Sequence, residues 1–174
     1  MKKKTIVPLI VFLLGICLVG LIVYKTDSHE TEQQHIKAQL NATTYGERIK
    51  NEITNGIAIT DALKQVLISE NGKISQFDTI AENIMSDFIE SIQLAPDGIV
   101  TDIYPSEGME AGKIDLLQDK ERGRISRYAR DNHVIVTQGP FDLKQGGCGI
   151  AVRNPVYLKD KNNQEYFWGF TIVI

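Results

Sequence analysis

The sequence predicts an α+β fold, in which a long N-terminal helix leads into a five-stranded antiparallel sheet with flanking helices. Three observations carry that prediction. Apolar residues recur mostly at four-residue steps through Ile36, Leu40, Tyr45, Ile49, Ile53, Ile57, Leu63 and Val66, which is the stripe of an amphipathic helix. Pro96-Asp97-Gly98 separates two short β-prone runs and marks a tight hairpin. Two longer β-rich runs, Gly149 to Leu158 and Glu165 to Ile174, flank the polar turn Lys159-Asp160-Lys161-Asn162-Asn163, the pattern of a second hairpin with a longer loop.

Residues 1-4 read as a short cytoplasmic tail, with Lys2, Lys3 and Lys4 ahead of Thr5 to Tyr24, an unbroken apolar or small-residue run. As a helix rising ~1.5 Å per residue, a run of about 20 residues crosses a ~30 Å hydrocarbon core. Asp27, Glu30 and Glu32 follow, so the positive-inside bias places the N-terminus in the cytoplasm and everything from about Thr26 outside, on a single-pass span. A cleaved leader would carry a shorter apolar core and a small-x-small site, which Val23-Tyr24-Lys25 does not offer. Cys17 follows Ile16 rather than the small residue that lipoprotein processing requires.

Residues 25-70 are expected to form a stalk helix. Its length, about 60 Å for some 40 residues, suits a membrane-proximal spacer, and its stripe is expected to pack on its own domain or on a second copy in a homodimer. Gly46 and Gly56 are points of bending or of close approach by a neighbour. Asn71-Gly72 ends that helix, and residues 71-174 form the core domain. Ser75 is expected to cap a second helix with Phe77, Ile80, Ile84, Met85 and Phe88 facing inward. Strands Ser91 to Ala95 and Ile99 to Tyr104 follow, then a loop through Pro105-Ser106-Glu107-Gly108, a helical stretch from Asp119 to Asp131 and a third strand, Val134 to Thr137.

Composition narrows the function classes. The formal net charge is -3, with basic residues scattered, so nucleic-acid binding has no electrostatic support. Cys17 falls in the apolar run and Cys148 in the outer domain, so they do not pair within one chain; Cys148 reads as a lone packing thiol. His29 and His35 stand six positions apart, off the spacing that places two imidazoles on one helical face, and His133 is remote from both, so no metal is expected. No nucleophile elbow, phosphate loop or paired-carboxylate arrangement occurs; neither a cofactor nor catalysis is expected within these residues.

A hairpin, a helical connection and three further strands, preceded by helices, is the chain order of a PAS-like sheet with helices on one face. Ile92-Gln93-Leu94-Ala95-Pro96-Asp97-Gly98-Ile99-Val100 with Ile103-Tyr104-Pro105, then Gln138-Gly139-Pro140-Phe141, Gln145-Gly146-Gly147, Arg153-Asn154-Pro155-Val156-Tyr157 and Phe167-Trp168-Gly169-Phe170 together resemble a CHASE domain, over about Glu47 to Ile174. The resemblance implies an extracytoplasmic sensor of a receptor histidine kinase or nucleotide cyclase, which binds a small-molecule ligand and signals across the membrane. It also implies a second membrane helix and an output domain beyond the Thr171-Ile172-Val173-Ile174 strand; without an output, the chain would be a membrane-tethered ligand-binding or assembly protein.

Strand alternation supplies candidate ligand-binding residues. Gly149, Ala151, Arg153, Pro155 and Tyr157 share one face, and Gly169 and Thr171 alternate with Trp168, Phe170 and Ile172. The expected pocket lies on the smaller face, with Ala151 and Gly169 leaving room, Arg153 as a fixed cation for a carboxylate or phosphate, and Tyr104, Thr137 and Thr171 as hydrogen-bonding rim groups.

Overall fold

The structure is a computed structural model that describes residues 3–106, 111–143 and 147–174, with side chains described for 12–25 and from 32 onward within those ranges. Glu107 and Gly108 of the expected loop, and Gln145 and Gly146 of the expected glycine turn, lie outside the described residues. The chain divides into two compact units, Met1–Arg48 and Ile49–Ile174. In order, its elements are α1 (Lys3–Ser69), α2 (Phe77–Ile84), β1 (Ile92–Pro96), β2 (Asp102–Tyr104), α3 (Gly123–Asn132), β3 (Val136–Asp142), β4 (Cys148–Lys159) and β5 (Glu165–Val173).

The first unit belongs to α1. Its side chains from Phe12 to Tyr24 are all exposed, as are Ile36, Leu40 and Tyr45 further on. Among the described residues no helix is long and apolar enough to cross a membrane. The side chains of 5–11, which open the expected span, lie outside the described residues.

In the second unit the strands lie in the order β2-β1-β5-β4-β3, all antiparallel. The end of α1 packs on this sheet through Gly56, Ile59, Thr60, Leu63 and Leu67, which recur at helical spacing on one face. The expected stripe was rotated from this one: Leu63 is shared, whereas Ile53, Ile57 and Val66 are only partly buried. Gly56 is a point of close approach rather than a bend, since a Cβ there would stand 3.2 Å from Cγ2 of Val152. Gly72, at φ +88°, ends the helix by donating its N–H to the Leu67 carbonyl at 2.7 Å. Ser75 does not cap α2. Its N–H and hydroxyl both donate to Oε2 of Glu70, at 2.8 and 2.7 Å, and hold that carboxyl below its ordinary pKa; Gln76 occupies the cap position without a side-chain bond.

Two cores result, one on each face of the sheet. Ile59, Leu63 and Leu67 of α1 meet Phe77 and Ala81 of α2 over Ile92, Leu94, Val156, Leu158 and Val173. On the opposite face Ala129 of α3 and Leu116 meet Ala95, Val100, Ile103, Val136, Phe170 and Ile172. Helices therefore cover both faces, not one, because α3 crosses to the side away from α1. Each fully buried aliphatic side chain contributes about 1.5–3 kcal/mol relative to exposure, so both faces are anchored. Phe88, expected inside, is half exposed, and Ala81 and Ile89 are buried instead.

The Pro96-Asp97-Gly98 turn forms as predicted, with φ +54° at Asp97 and +86° at Gly98, the signs of a type I′ hairpin turn. The strand after it is shorter than expected. Ile99 and Val100 leave β1 and pair with the segment before α3, where Val100 N–H donates to the Ile114 carbonyl at 3.0 Å and Leu116 N–H to Gly98 at 2.8 Å. The β4–β5 hairpin closes on Asp160, whose Oδ1 accepts the N–H groups of Asn162 and Gln164, both at 2.8 Å. Its ladder shifts register where Val156 faces Gly169 and Tyr157 faces Phe167, so Trp168 is the extra residue of a bulge.

Candidate functional site

Register decides which of the candidate residues meet. Arg153 of β4 stands opposite Val136 of β3 and Ile172 of β5, and so lies on the α3 face. Ala151, fully buried, shares that face opposite Gln138. Thr171 is opposite Asn154 and Leu94, Tyr104 opposite Ile92, Gly169 opposite Val156 and Thr137 opposite Val152, which puts all of these on the α1 face. The structure thus brings Ala151 and Arg153 together and does not bring the other candidates to them.

Each of the separated residues has a local explanation. The Thr171 hydroxyl, fully buried, donates to the Thr60 carbonyl of α1 at 3.0 Å. Tyr104 packs against the α1 and α2 core, and Thr137 is exposed. At Gly169, φ is +152° and a Cβ would fall 2.1 Å from the Ala95 carbonyl oxygen, so its small size admits the neighbouring strand. Gly149 likewise faces Leu143 and Ile174, at 2.8 and 3.1 Å from the position of a Cβ.

Arg153 is 2% exposed, which is unusual for a guanidinium. Its Nη1 donates to Oε1 of Gln138 at 2.6 Å, and Nε2 of Gln138 donates in turn to the Glu121 carbonyl at 3.2 Å. That second bond fixes which way the Gln138 amide points and aims its oxygen at Arg153. Nε of Arg153 is buried without any hydrogen-bond partner. Burial, followed by the like charge of Arg122, lowers the Arg153 pKa to about 10, against an opposing effect from Asp119. A buried guanidinium without a carboxylate partner costs on the order of several kcal/mol.

The segment entering α3 supplies the rest of the surroundings. Asp119 Oδ1 accepts the N–H groups of Glu121 and Arg122 at 2.8 and 2.7 Å, which shapes the turn ahead of the helix. The Arg122 N–H, more than the nearby Arg122 and Arg153 charges, holds the Asp119 carboxyl below its ordinary pKa. The Arg122 guanidinium carbon lies 5.8 Å from the centroid of the Phe141 ring. Ser126 and Ala129 bury the inner face of α3, and the Tyr157 hydroxyl donates to the Arg130 carbonyl near its end. Tyr157 also stacks on His133, ring centroids 3.9 Å apart, and its burial raises its pKa.

Asp119, Arg122 and Gln138 were not among the sequence candidates. Gln138 had a usable signal, because Val136 and Gln138 alternate on β3 as Arg153 and Ala151 do on β4; the shift in register between Gln138 and Phe141 obscured the pairing. Arg122 and Asp119 come from a loop, where no periodicity locates a side chain.

On the other face, Asn154 is buried between opposite charges of α1. Its Nδ2 donates to Oδ1 of Asp61 at 2.7 Å, and Nζ of Lys64 reaches Oδ1 of Asn154 at 3.4 Å and the Pro155 carbonyl at 3.0 Å. Adjacent residues of β4 therefore connect the α3 face and α1. Among the described residues no group of acidic, histidine or cysteine side chains could hold a metal.

A solved structure, an extracellular ligand binding receptor from Desulfohalobium retbaense, is similar in fold, with a TM-score of 0.55 at 15% identity. The likeness covers 73% of this chain but 23% of that one, so this chain spans about a quarter of the receptor's length. No family model matches the sequence, and no curated protein matches it.

Proposed function

We propose that this chain is the membrane-tethered, extracytoplasmic sensing part of a receptor, a PAS-like domain of CHASE type that binds a small ligand and passes a signal to an output kinase or cyclase. One observation carries the ligand reading: a fully enclosed arginine on the sheet, Arg153, keeps Nε unpartnered beside Ala151 and Gln138. A fold shared with an extracellular ligand binding receptor supports it. The lysines ahead of an apolar run at Thr5 to Tyr24, and the exposed apolar side chains from Phe12 onward, support the tether. Ile36, Leu40, Tyr45 and Ile49, all more than half exposed, support a homodimer through α1.

Signal passage follows from β4. A ligand that favours one arrangement of this strand by ~1–3 kcal/mol shifts α1 through Asn154, Asp61 and Lys64, since linkage acts on whatever differs between the two states. The topology is tested with the exposed Cys148 in a Cys17→Ser background. A membrane-impermeant maleimide labels intact cells if the domain is outside, whereas labelling only after lysis contradicts the orientation. Ligand binding is tested by thermal unfolding of the detergent-solubilised chain against a small-metabolite panel of acids, bases and neutral compounds. A saturable rise in midpoint with a panel member is expected; none with any member overturns the sensing reading.

A further inference from the structure

Building on the ligand reading above, we infer that the α3 face of β4 is a monocarboxylate site, with Arg153 as the carboxylate anchor and Gln138 and Arg122 beside it. The anchor has the features that such a site needs. Arg153 is 2% exposed, its Nη1 is already oriented by Gln138, and its Nε donor is unused. A guanidinium offers parallel N–H donors in a planar fork, and a carboxylate is the planar acceptor that matches it. Gln138 is neutral and held from behind by the Glu121 carbonyl, so it positions the cation without neutralising it.

Charge selects the class of anion. Arg153 and Arg122 bring two positive charges near enough to act on each other, and Asp119 brings one negative charge near both. Beside the one enclosed guanidinium, a monovalent carboxylate matches both the charge and the planar fork, whereas a phosphate dianion carries a second charge. Asp119 directs Oδ1 at the N–H groups of Glu121 and Arg122 and makes no hydrogen bond to Arg153. A carboxylate arriving at Arg153 would complete its donors and offset its desolvation, which gives the ligand differential affinity for the state in which Arg153 is enclosed.

Gln138→Glu provides a test that does not depend on a variant that fails to fold. It sets a carboxylate within reach of Arg153 Nη1, in place of the amide oxygen now 2.6 Å away, and so supplies the anion from within the chain while giving up the Nε2 bond to the Glu121 carbonyl. The full chain in detergent is titrated with acetate, pyruvate and inorganic phosphate at constant ionic strength and pH 7, following the unfolding midpoint and heat of binding. Expected are saturable binding of acetate or pyruvate, no comparable response to phosphate, and at least tenfold weaker carboxylate binding in Gln138→Glu, with a cooperative unfolding transition retained in that variant. Carboxylate binding unchanged in Gln138→Glu, or a phosphate response without a carboxylate one, overturns the assignment. A parent that binds a neutral or basic panel member but neither carboxylate also overturns it while leaving the sensing reading in place; no binding of anything in the panel removes both.

Discussion

Asn154 and Arg153 are adjacent in β4 and equally enclosed, at 1% and 2% exposure, yet their two faces treat them differently. Asn154 meets Asp61 and Lys64, so its amide both donates and accepts. Arg153 meets a neutral glutamine and retains an unused donor. The α1 face has its polar groups paired inside an aliphatic core, whereas the α3 face holds a charge whose cost is not recovered locally. A sheet can thus be stable on one side and poised on the other, because stabilisation by one core is independent of a polar deficit across the strand.

The largest effects come from breaking either core. Leu63→Ala should lower the unfolding free energy by about 2–5 kcal/mol, and Phe170→Ala by about 3–5 kcal/mol, measured by urea denaturation. Similar losses would show that both faces hold the sheet; a negligible loss for Phe170→Ala would mean that the α3 face is not a packed core.

A smaller and more discriminating contrast lies in the neighbouring pair. Asn154→Ala should destabilise by about 1–3 kcal/mol, since it removes a buried amide bonded to the charged Asp61, while Lys64 keeps the Pro155 carbonyl. Arg153→Met should raise stability or leave it within about 1 kcal/mol, because removal of an enclosed charge with no hydrogen-bonded carboxylate offsets the lost Gln138 bond. Equal destabilisation by the two changes would erase the distinction between the faces. Gly169→Ala should cost more than the ~1–3 kcal/mol of backbone strain alone, because the clash with the Ala95 carbonyl adds to it, visible as a lower midpoint in the same denaturation series.

The smallest effect concerns Asp119. Its folded pKa is lowered, so the carboxylate contributes stability that is present above its unfolded value of ~3.9 and is lost as pH falls through the folded value. Asp119→Ala should cost about 1 kcal/mol at pH 7 and show a shallower loss of stability below pH ~3.9 than the parent. Parallel acid profiles for the two proteins would contradict the link.

The hairpins and the long helix were legible because their signals are local. Asp97-Gly98 requires positive φ in a tight turn, and apolar residues in α1 recur at helical spacing. The orientation of α1 was harder to read: the buried positions include Gly56 and Thr60, which hydropathy does not mark. Arg153 and Ala151 were found by alternation within one strand, but their partners depended on alignment between strands. Arg153 lies opposite Ile172, not Thr171, and a single extra residue at Trp168 reverses the relation between its neighbours and the faces. Trp168 and Phe170, expected on one side, consequently belong to different cores.

The grip of Asp61 and Lys64 on Asn154 also limits how α1 could travel. A slide of one helical turn, about 5.4 Å, would bring Ile57 and Thr60, or Gln65 and Ile68, to the places where the opposite charges now stand. Neither replacement set offers an acid and a base to the amide, so the helix has no second seat of equal energy one turn away. Small tilts and rotations that keep the amide engaged remain cheap, while axial ratcheting is resisted. The contact works as a detent, which favours pivoting over sliding as the way a disturbance in β4 would be carried into α1.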